Sequence, residues 1–191
     1  MNHNYSKAGI NYKIRPVSLN DCDFILELRC DPELSRFINT TENSIVKQRA
    51  WLTSYLNCDN DYYFIIENLK TGLMEGTVGV YDIDRKLNTG EWGRWILKKN
   101  SPAAIESAML IYKYIFEELC LDSVYCRTLE MNVKVVNFHT SCGLRTDKKL
   151  LDYVLINGSS YDAIQQILTL DEWPDVNNKL QNLANLLNRR A

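Results

Sequence analysis

The stretch from Cys126 to Leu144 reads Cys-Arg-Thr-Leu-Glu-Met-Asn-Val-Lys-Val-Val-Asn-Phe-His-Thr-Ser-Cys-Gly-Leu. It constrains the fold more tightly than any other part of the chain. Its first residues read as the end of a strand. Asn132 then opens a helix, because an Asn side chain can accept from amides that a helix start leaves unpaired. Gly143 closes it by supplying a left-handed cap, and the next strand starts there. His139 is one of two histidines in the chain. It lies four residues before Gly143, at a helix end whose dipole favours a protonated imidazole.

A length of 191 residues suits one domain. With 46% hydrophobic and 24% charged residues, the chain has the balance of a globular protein, so disorder is not expected. Its 22 basic and 24 acidic residues leave a net charge of −2, with no dense Lys/Arg run. A phosphate-neutralising patch for nucleic acid is therefore not expected. Met1 to Gly9 is polar, and no stretch is long and apolar enough to span a bilayer. A soluble cytoplasmic protein without membrane contact is the expectation. The six cysteines, Cys22, Cys30, Cys58, Cys120, Cys126 and Cys142, contain no C-x-x-C pair, and two histidines are too few for a Cys/His zinc site. No metal is expected, and the thiols read as reduced, small apolar core residues.

Periodicity orders the remaining elements. Tyr12 to Val17 alternates like a strand, and Ser18 or Asn20 can cap a helix carrying Phe24, Ile25 and Leu28. Asp31-Pro32 ends that helix. Ser44 to Asn57 reads as a second helix with Ile45, Ala50, Trp51, Leu52, Tyr55 and Leu56 as its apolar residues. Tyr62 to Glu67 and Met74 to Tyr81 form a hairpin about Thr71-Gly72. Asn88 to Leu97 is a third strand of that series, whose Gly90 and Gly93 suggest a bulge or a close backbone approach. Pro102 opens a helix with Ile105, Ala108, Met109, Tyr112, Ile115, Phe116 and Leu119 at helical spacing. Ser123 to Thr128 is a strand and Val133 to Cys142 the helix described above. Leu150 to Ile156 and Tyr161 to Leu170 form a hairpin joined at Asn157-Gly158-Ser159-Ser160. Residues 171–191 read as a tail, with Val176, Leu180, Leu183 and Leu187 on one helical face. That face packs on its own domain, across a homodimer, or on a partner.

This order, β-α-α-β-β-β-α-β-α-β-β, with the Asn-led, Gly-terminated helix, resembles the GNAT superfamily of acyl-CoA-dependent N-acetyltransferases. The resemblance runs from about residue 12 to residue 170. It implies an α/β (α+β) fold: a mixed twisted sheet of about seven strands flanked by about four helices, with a C-terminal helix added. The domain would span 1–170 and the tail 171–191. Ile14-Arg15-Pro16, Leu28 to Glu33, Gln48 to Trp51 and Gly90-Glu91-Trp92-Gly93-Arg94-Trp95-Ile96 resemble one branch in particular. That branch holds enzymes acetylating amino-sugar nucleotides for surface polysaccharides, and ribosomal-protein N-terminal acetyltransferases.

The resemblance implies acetyl-CoA as the cofactor. The family's phosphate loop, R/Q-x-x-G-x-G/A, presents backbone amides at a helix N-terminus. Its equivalent here is Lys99-Asn100-Ser101-Pro102-Ala103-Ala104. Pro102 stands where a Gly donor is usual and has no N–H, but it suits a first helical turn. Lys98 and Lys99 can meet the phosphates as point charges. The implied cofactor-binding set is Trp95, Ile96, Leu97, Lys98, Lys99, Ser101, Ala103, Ala104, Asn132 and His139. Asn132 would lie beside the pantetheine arm. His139 stands where the family usually carries a tyrosine that protonates the departing thiolate.

Acetyl transfer needs a neutral amine, a polarised carbonyl and a capped thiolate. A backbone N–H from Trp95 to Leu97 would polarise the carbonyl, as the family's fourth strand does. Glu91, among Trp92 and Trp95, is the candidate base, since apolar surroundings raise a carboxylate pKa. The alternative for Glu91 is a surface pair with Arg94 or Lys98. Arg29 and Arg36 are candidate ligands for a nucleotide phosphate, or else surface ion pairs with Glu27 or Glu33. Asp82 and Trp92 complete the candidate acceptor set, and Asp82 and Asp84 are the alternatives to Glu91 as base, or else turn residues. Trp51, Tyr62 and Tyr63 can stack on a sugar or base, or belong to the core. Cys142 and His139, three residues apart, do not form a nucleophilic pair. The expected partner is a small-molecule amine, and the chain a monomer or homodimer. The competing readings are an N-terminal acetyltransferase and a non-catalytic binding domain.

Overall fold

A computed structural model describes residues 3–156 and 158–189. Eight strands form one sheet: β1 (Lys7–Ala8), β2 (Tyr12–Pro16), β3 (Tyr62–Asn68), β4 (Met74–Asp84), β5 (Thr89–Leu97), β6 (Ser123–Leu129), β7 (Arg145–Ile156) and β8 (Ser159–Thr169). Their order across the sheet is β1-β2-β3-β4-β5-β6-β8-β7. Every neighbouring pair is antiparallel except β5 and β6. Five helices accompany the sheet: α1 (Cys22–Cys30), α2 (Ile45–Tyr55), α3 (Ala104–Lys113), α4 (Val133–Cys142) and α5 (Trp173–Asn188).

Alternation along β3 divides the core. Phe64 and Ile66 point to one face, Tyr63 and Ile65 to the other. On the first face they meet α3, α5 and the end of α4, through Met109, Tyr112, Cys142, Trp173 and Leu180. On the second face they meet α1 and α2, through Phe24, Ile25, Leu28 and Leu52. Each fully buried Ile, Leu or Phe contributes about 1.5–3 kcal/mol. Helix α3 is buried on nearly all sides, so it is the central pillar of the first core. Glu106 in its first turn ties down the N-terminal segment: Oε1 accepts from the backbone N–H groups of Ile10, of Asn11 at 2.8 Å and of Tyr12 at 3.1 Å.

The structure departs from the sequence reading in several places. The sheet has eight strands because Lys7–Ala8 adds a short rung to β2. α3 gives way to a π-helical turn at Tyr114–Glu118, with Leu119 N–H donating to the Tyr114 carbonyl at 3.0 Å. The extra residue in that turn keeps Tyr114, Ile115 and Phe116, three in succession, in the core. β7 starts at Arg145, five residues earlier than expected, as an exposed edge strand whose polar residues hid it. Its hairpin turn with β8 is tight, with Gly158 at φ 80°; Asn157 of the expected loop lies outside the described residues. On α2 the buried face carries Gln48, Leu52 and Tyr55, whereas Trp51 is 44% exposed. Cys22, Cys126 and Cys142 are core residues, but Cys58 and Cys120 are exposed and Cys30 is half-buried. Among the described residues no helix is long and apolar enough to cross a membrane.

α4 runs from Val133 to Cys142, and Gly143 caps it at φ 111° as expected. A Cβ on Gly143 would stand 2.6 Å from Val176 Cγ2, so only glycine lets α5 dock there. Asn132 sits at the N-cap position, yet its side chain makes no capping bond. Its backbone carbonyl instead accepts from Val135 and Val136 at 3.0 and 3.1 Å.

Candidate active site

β5 and β6 pair only over Thr89–Glu91 and Ser123–Tyr125, then part. β6 goes on with β8 as far as Leu129, while β5 stays with β4 as far as Leu97. The β5 edge beyond Glu91 therefore faces no strand. A cavity of about 870 Å³ fills the parting, lined by Glu91–Ile96, Cys126–Leu129, Asn132, Val135 and His139 on that side. Its opposite wall comes from α1, α2 and the loop between them. Between Thr77 and Gly79 the β4–β5 register slips, leaving Arg94 and Trp95 as a bulge with Arg94 left-handed at φ 49°. Gly93, just before it, is where the Tyr81 hydroxyl closes on the β5 backbone.

Glu91 is 6% exposed at the point of parting. Burial raises its pKa to about 7; Arg127 pulls it down, Asp82 pushes it up, and the Tyr81 hydroxyl pulls it down. Neither Arg94 nor Lys98 is its partner. Arg127 Nη1 donates to Glu91 Oε2 at 3.0 Å, and Arg127 Nε donates to Gln165 Oε1 at 3.0 Å. Gln165 Nε2 in turn donates to Asp147 Oδ2 at 2.8 Å. One polar chain thus crosses β5, β6, β8 and β7.

His139 is 3% exposed and packed against Trp92, Trp95 and Phe138, with the Trp92 ring 4.9 Å away edge-on. Burial lowers its pKa to about 4. The expected protonated imidazole is thereby corrected: desolvation outweighs the helix dipole, and the ring is neutral near pH 7. Nδ1 has no hydrogen-bond partner among the described residues. Burial likewise raises Cys142 to about 11, so it stays a thiol.

Arg29 lines the opposite wall, where Nε donates to Thr41 Oγ1 at 2.7 Å; it pairs with neither Glu27 nor Glu33. Arg94 is held by Asp61 on both oxygens, with Nη2 2.7 Å from Oδ2. Its guanidinium also lies 4.5 Å from the Tyr81 ring, 5.3 Å from Tyr63 and 5.5 Å from Trp51.

The cavity therefore gathers Arg29, Glu91, Trp92, Trp95, Ile96, Asn132 and His139. It does not gather Arg36, which lies over the Phe37 ring at 5.0 Å, or Asp82, which sits left-handed in the β4 bulge facing Glu91 only through its charge. Leu97, Lys98, Lys99, Ser101, Ala103 and Ala104 lie past the cavity along the turn into α3. There Lys98 Nζ stands 5.3 Å over Phe24, and Lys99 pairs with Glu33 at 2.8 Å on the surface. Tyr63 is core at 1% exposure. Sequence reasoning missed Arg127, Arg94, Tyr81 and Gln48 as cavity residues. The one available signal was Arg127 itself, a cation inside an otherwise β-rich central strand, which needs a buried acid.

The family model of the acetyltransferase (GNAT) domain matches residues 12–145, and the chain belongs to that family. With this parted sheet and cleft, it is an acyltransferase enzyme of the GNAT type. A search of curated proteins returned no match. Among solved structures, apo FdhC, described as a nucleotide-linked sugar GNAT, is similar at 28% identity with a TM-score of 0.77, over 95% of this chain and 98% of that one. A GCN5-related N-acetyltransferase from Brucella melitensis reaches a TM-score of 0.81 at 17% identity, over 94% and 85%. Spermidine N-acetyltransferase from Vibrio cholerae, in complex with CoA and spermine, reaches 0.79 at 18% identity, over 86% and 98%.

GNAT enzymes use acetyl-CoA, and the residues present fit it. The unpaired β5 edge offers backbone groups to an extended amide-bearing arm, as an open strand edge does for a peptide. At the start of α3 the Ser101 hydroxyl already accepts from the buried Ala103 N–H at 3.3 Å, so the amides left for an anion are those that follow, beginning at Ala104. Glu106, the acid in that first turn, is already held by the Ile10–Tyr12 amides.

Proposed function

We propose that this enzyme transfers an acetyl group from acetyl-CoA to a primary amine on a nucleotide-linked amino sugar, by direct attack on the thioester. The observation that carries this reading is the charge of the cavity wall. Of the cations that line it, Lys47 pairs with Glu42, Arg94 with Asp61 and Arg127 with Glu91, which leaves the Arg29 guanidinium as the lining cation without an ion pair among the described residues. One unopposed guanidinium in the cavity wall favours a phosphate over a polyamine. The similarity to a nucleotide-linked sugar GNAT over almost the whole chain supports the same acceptor class.

Acetyl-CoA supplies the activated acyl group; the chain's residues do the rest. Glu91, with a pKa near 7, takes the proton of the attacking amine, directly or through a water. A β5 backbone N–H between Trp95 and Leu97 polarises the acyl oxygen. Neutral His139 steadies the leaving thiolate by a hydrogen bond rather than as an imidazolium. Asn132 flanks the arm of the cofactor, and the start of α3 with Ser101, Ala103 and Ala104 receives its diphosphate. The enzyme acts without a metal, as a monomer or homodimer, in the cytoplasm.

An acetyl-transfer assay against amino-sugar nucleotides, N-terminal peptides and spermidine tests the proposal. Turnover is expected with the first group alone. Preferred acetylation of peptides would transfer the assignment to the ribosomal-protein type. A melting temperature unmoved by saturating acetyl-CoA would favour a non-catalytic domain.

A further inference from the structure

Gln48 stands out in the cavity wall. It is 6% exposed, yet its Nε2 has no hydrogen-bond partner among the described residues. A buried amide donor left unpaired is costly and rare in a native core, and here it borders the cavity. Three residues on along α2, and also lining the cavity, is Trp51, the opposite anomaly. Its indole is 44% exposed although it is firmly braced, stacked on Tyr55 at 5.8 Å and 10° and backed by the Arg94 guanidinium at 5.5 Å. A rigid, half-open ring beside an unpaired donor matches a planar heterocycle with a ring carbonyl. Arg29, on the same wall of the cavity, forms no ion pair among the described residues and can meet a phosphate.

We propose that Trp51 and Gln48 form the nucleoside subsite of the acceptor. The base stacks on the Trp51 indole, its ring carbonyl accepts from Gln48 Nε2, and its diphosphate reaches Arg29. This rests on the nucleotide-linked acceptor proposed above and narrows it to bases bearing a carbonyl, such as uracil. Adenine, which has an amino group and ring nitrogens but no carbonyl, leaves the Gln48 donor unpaired.

The test is the binding of UDP and ADP by calorimetry to enzyme saturated with CoA, so that ADP is barred from the coenzyme's own site. UDP is expected to bind at least tenfold more tightly than ADP. Gln48→Met keeps the volume and removes the donor; it is expected to bring UDP down to the level of ADP. Its melting temperature should equal or exceed that of the wild type, and its CoA affinity should be unchanged. Trp51→Leu is expected to weaken UDP at least tenfold. Equal affinity of the unsubstituted enzyme for the two nucleotides, or full UDP affinity in Gln48→Met, overturns the subsite. If UDP fails to bind while CoA still stabilises the enzyme and an amine is still acetylated, the subsite falls and the transfer reaction stands. If CoA itself fails to bind, both fall.

Discussion

The Arg127 guanidinium donates to the Glu91 carboxylate at 3.0 Å, and it does so where β5 and β6 separate. The pair spans the two strands just where backbone hydrogen bonds stop doing so. It also sets the basicity of Glu91, since burial pushes the carboxyl up to about 7 while Arg127 restrains it.

Arg127→Met removes that restraint. The acid limb of the kcat/KM profile, expected near pH 7 from Glu91, should move upward by about one pH unit or more. A limb that stays in place would separate Glu91 from the proton transfer.

His139 and Glu91 should act on stability in opposite senses. The folded His139 pKa of about 4 lies below its ordinary 6.5. The unfolded chain therefore binds the proton first, and stability falls as pH drops from 6.5 to 4, by about 3 kcal/mol. For Glu91 the folded pKa of about 7 lies above 4.5, so stability falls as pH rises through that window, by about 3 kcal/mol. Urea unfolding of His139→Phe and Glu91→Gln at pH 4.5, 6 and 8 should show each dependence removed separately. The imidazole resonances of His139 should titrate only near pH 4.

Arg94 offers a separation of backbone from side chain. Arg94→Ala and Arg94→Gly both lose the Asp61 pair and the surrounding rings. At φ 49°, glycine is relieved of the left-handed penalty, so Arg94→Gly should be the more stable by about 1 kcal/mol. Both should lose turnover, because the bulge they loosen aims the Trp95–Leu97 amides. Thermal melts and initial rates measure the two effects.

Gly143→Ala should destabilise by about 1–3 kcal/mol, through the left-handed backbone and the clash with Val176. Adding Val176→Ala should recover part of the loss. The double-variant cycle reads how much is steric.

Local signals were the legible ones. Gly143 marked the end of α4 to the residue, and Thr71-Gly72 marked the β3–β4 turn, because caps and turns depend on a few adjacent residues. Glu91 was legible as a carboxylate among aromatics. Its partner was not: Arg127 lies 36 positions away, and only the parting of two strands brings it there. The neutral state of His139 was hidden for a similar reason. The dipole argument needs only α4, whereas the burial that overrides it comes from Trp92 and Trp95 on β5. Gln48 was invisible because a polar residue on a helix face reads as solvent-facing until a cavity is seen beside it.

The seat of Val176 on Gly143 gives the last helix a reach beyond its own surface. α5 borders none of the cavity, yet it presses on the terminus of α4, four residues past His139. Trimming the chain ahead of Trp173, or fusing a bulky partner that levers this helix away, would loosen the imidazole from a distance, so α5 buttresses a cleft that it does not line.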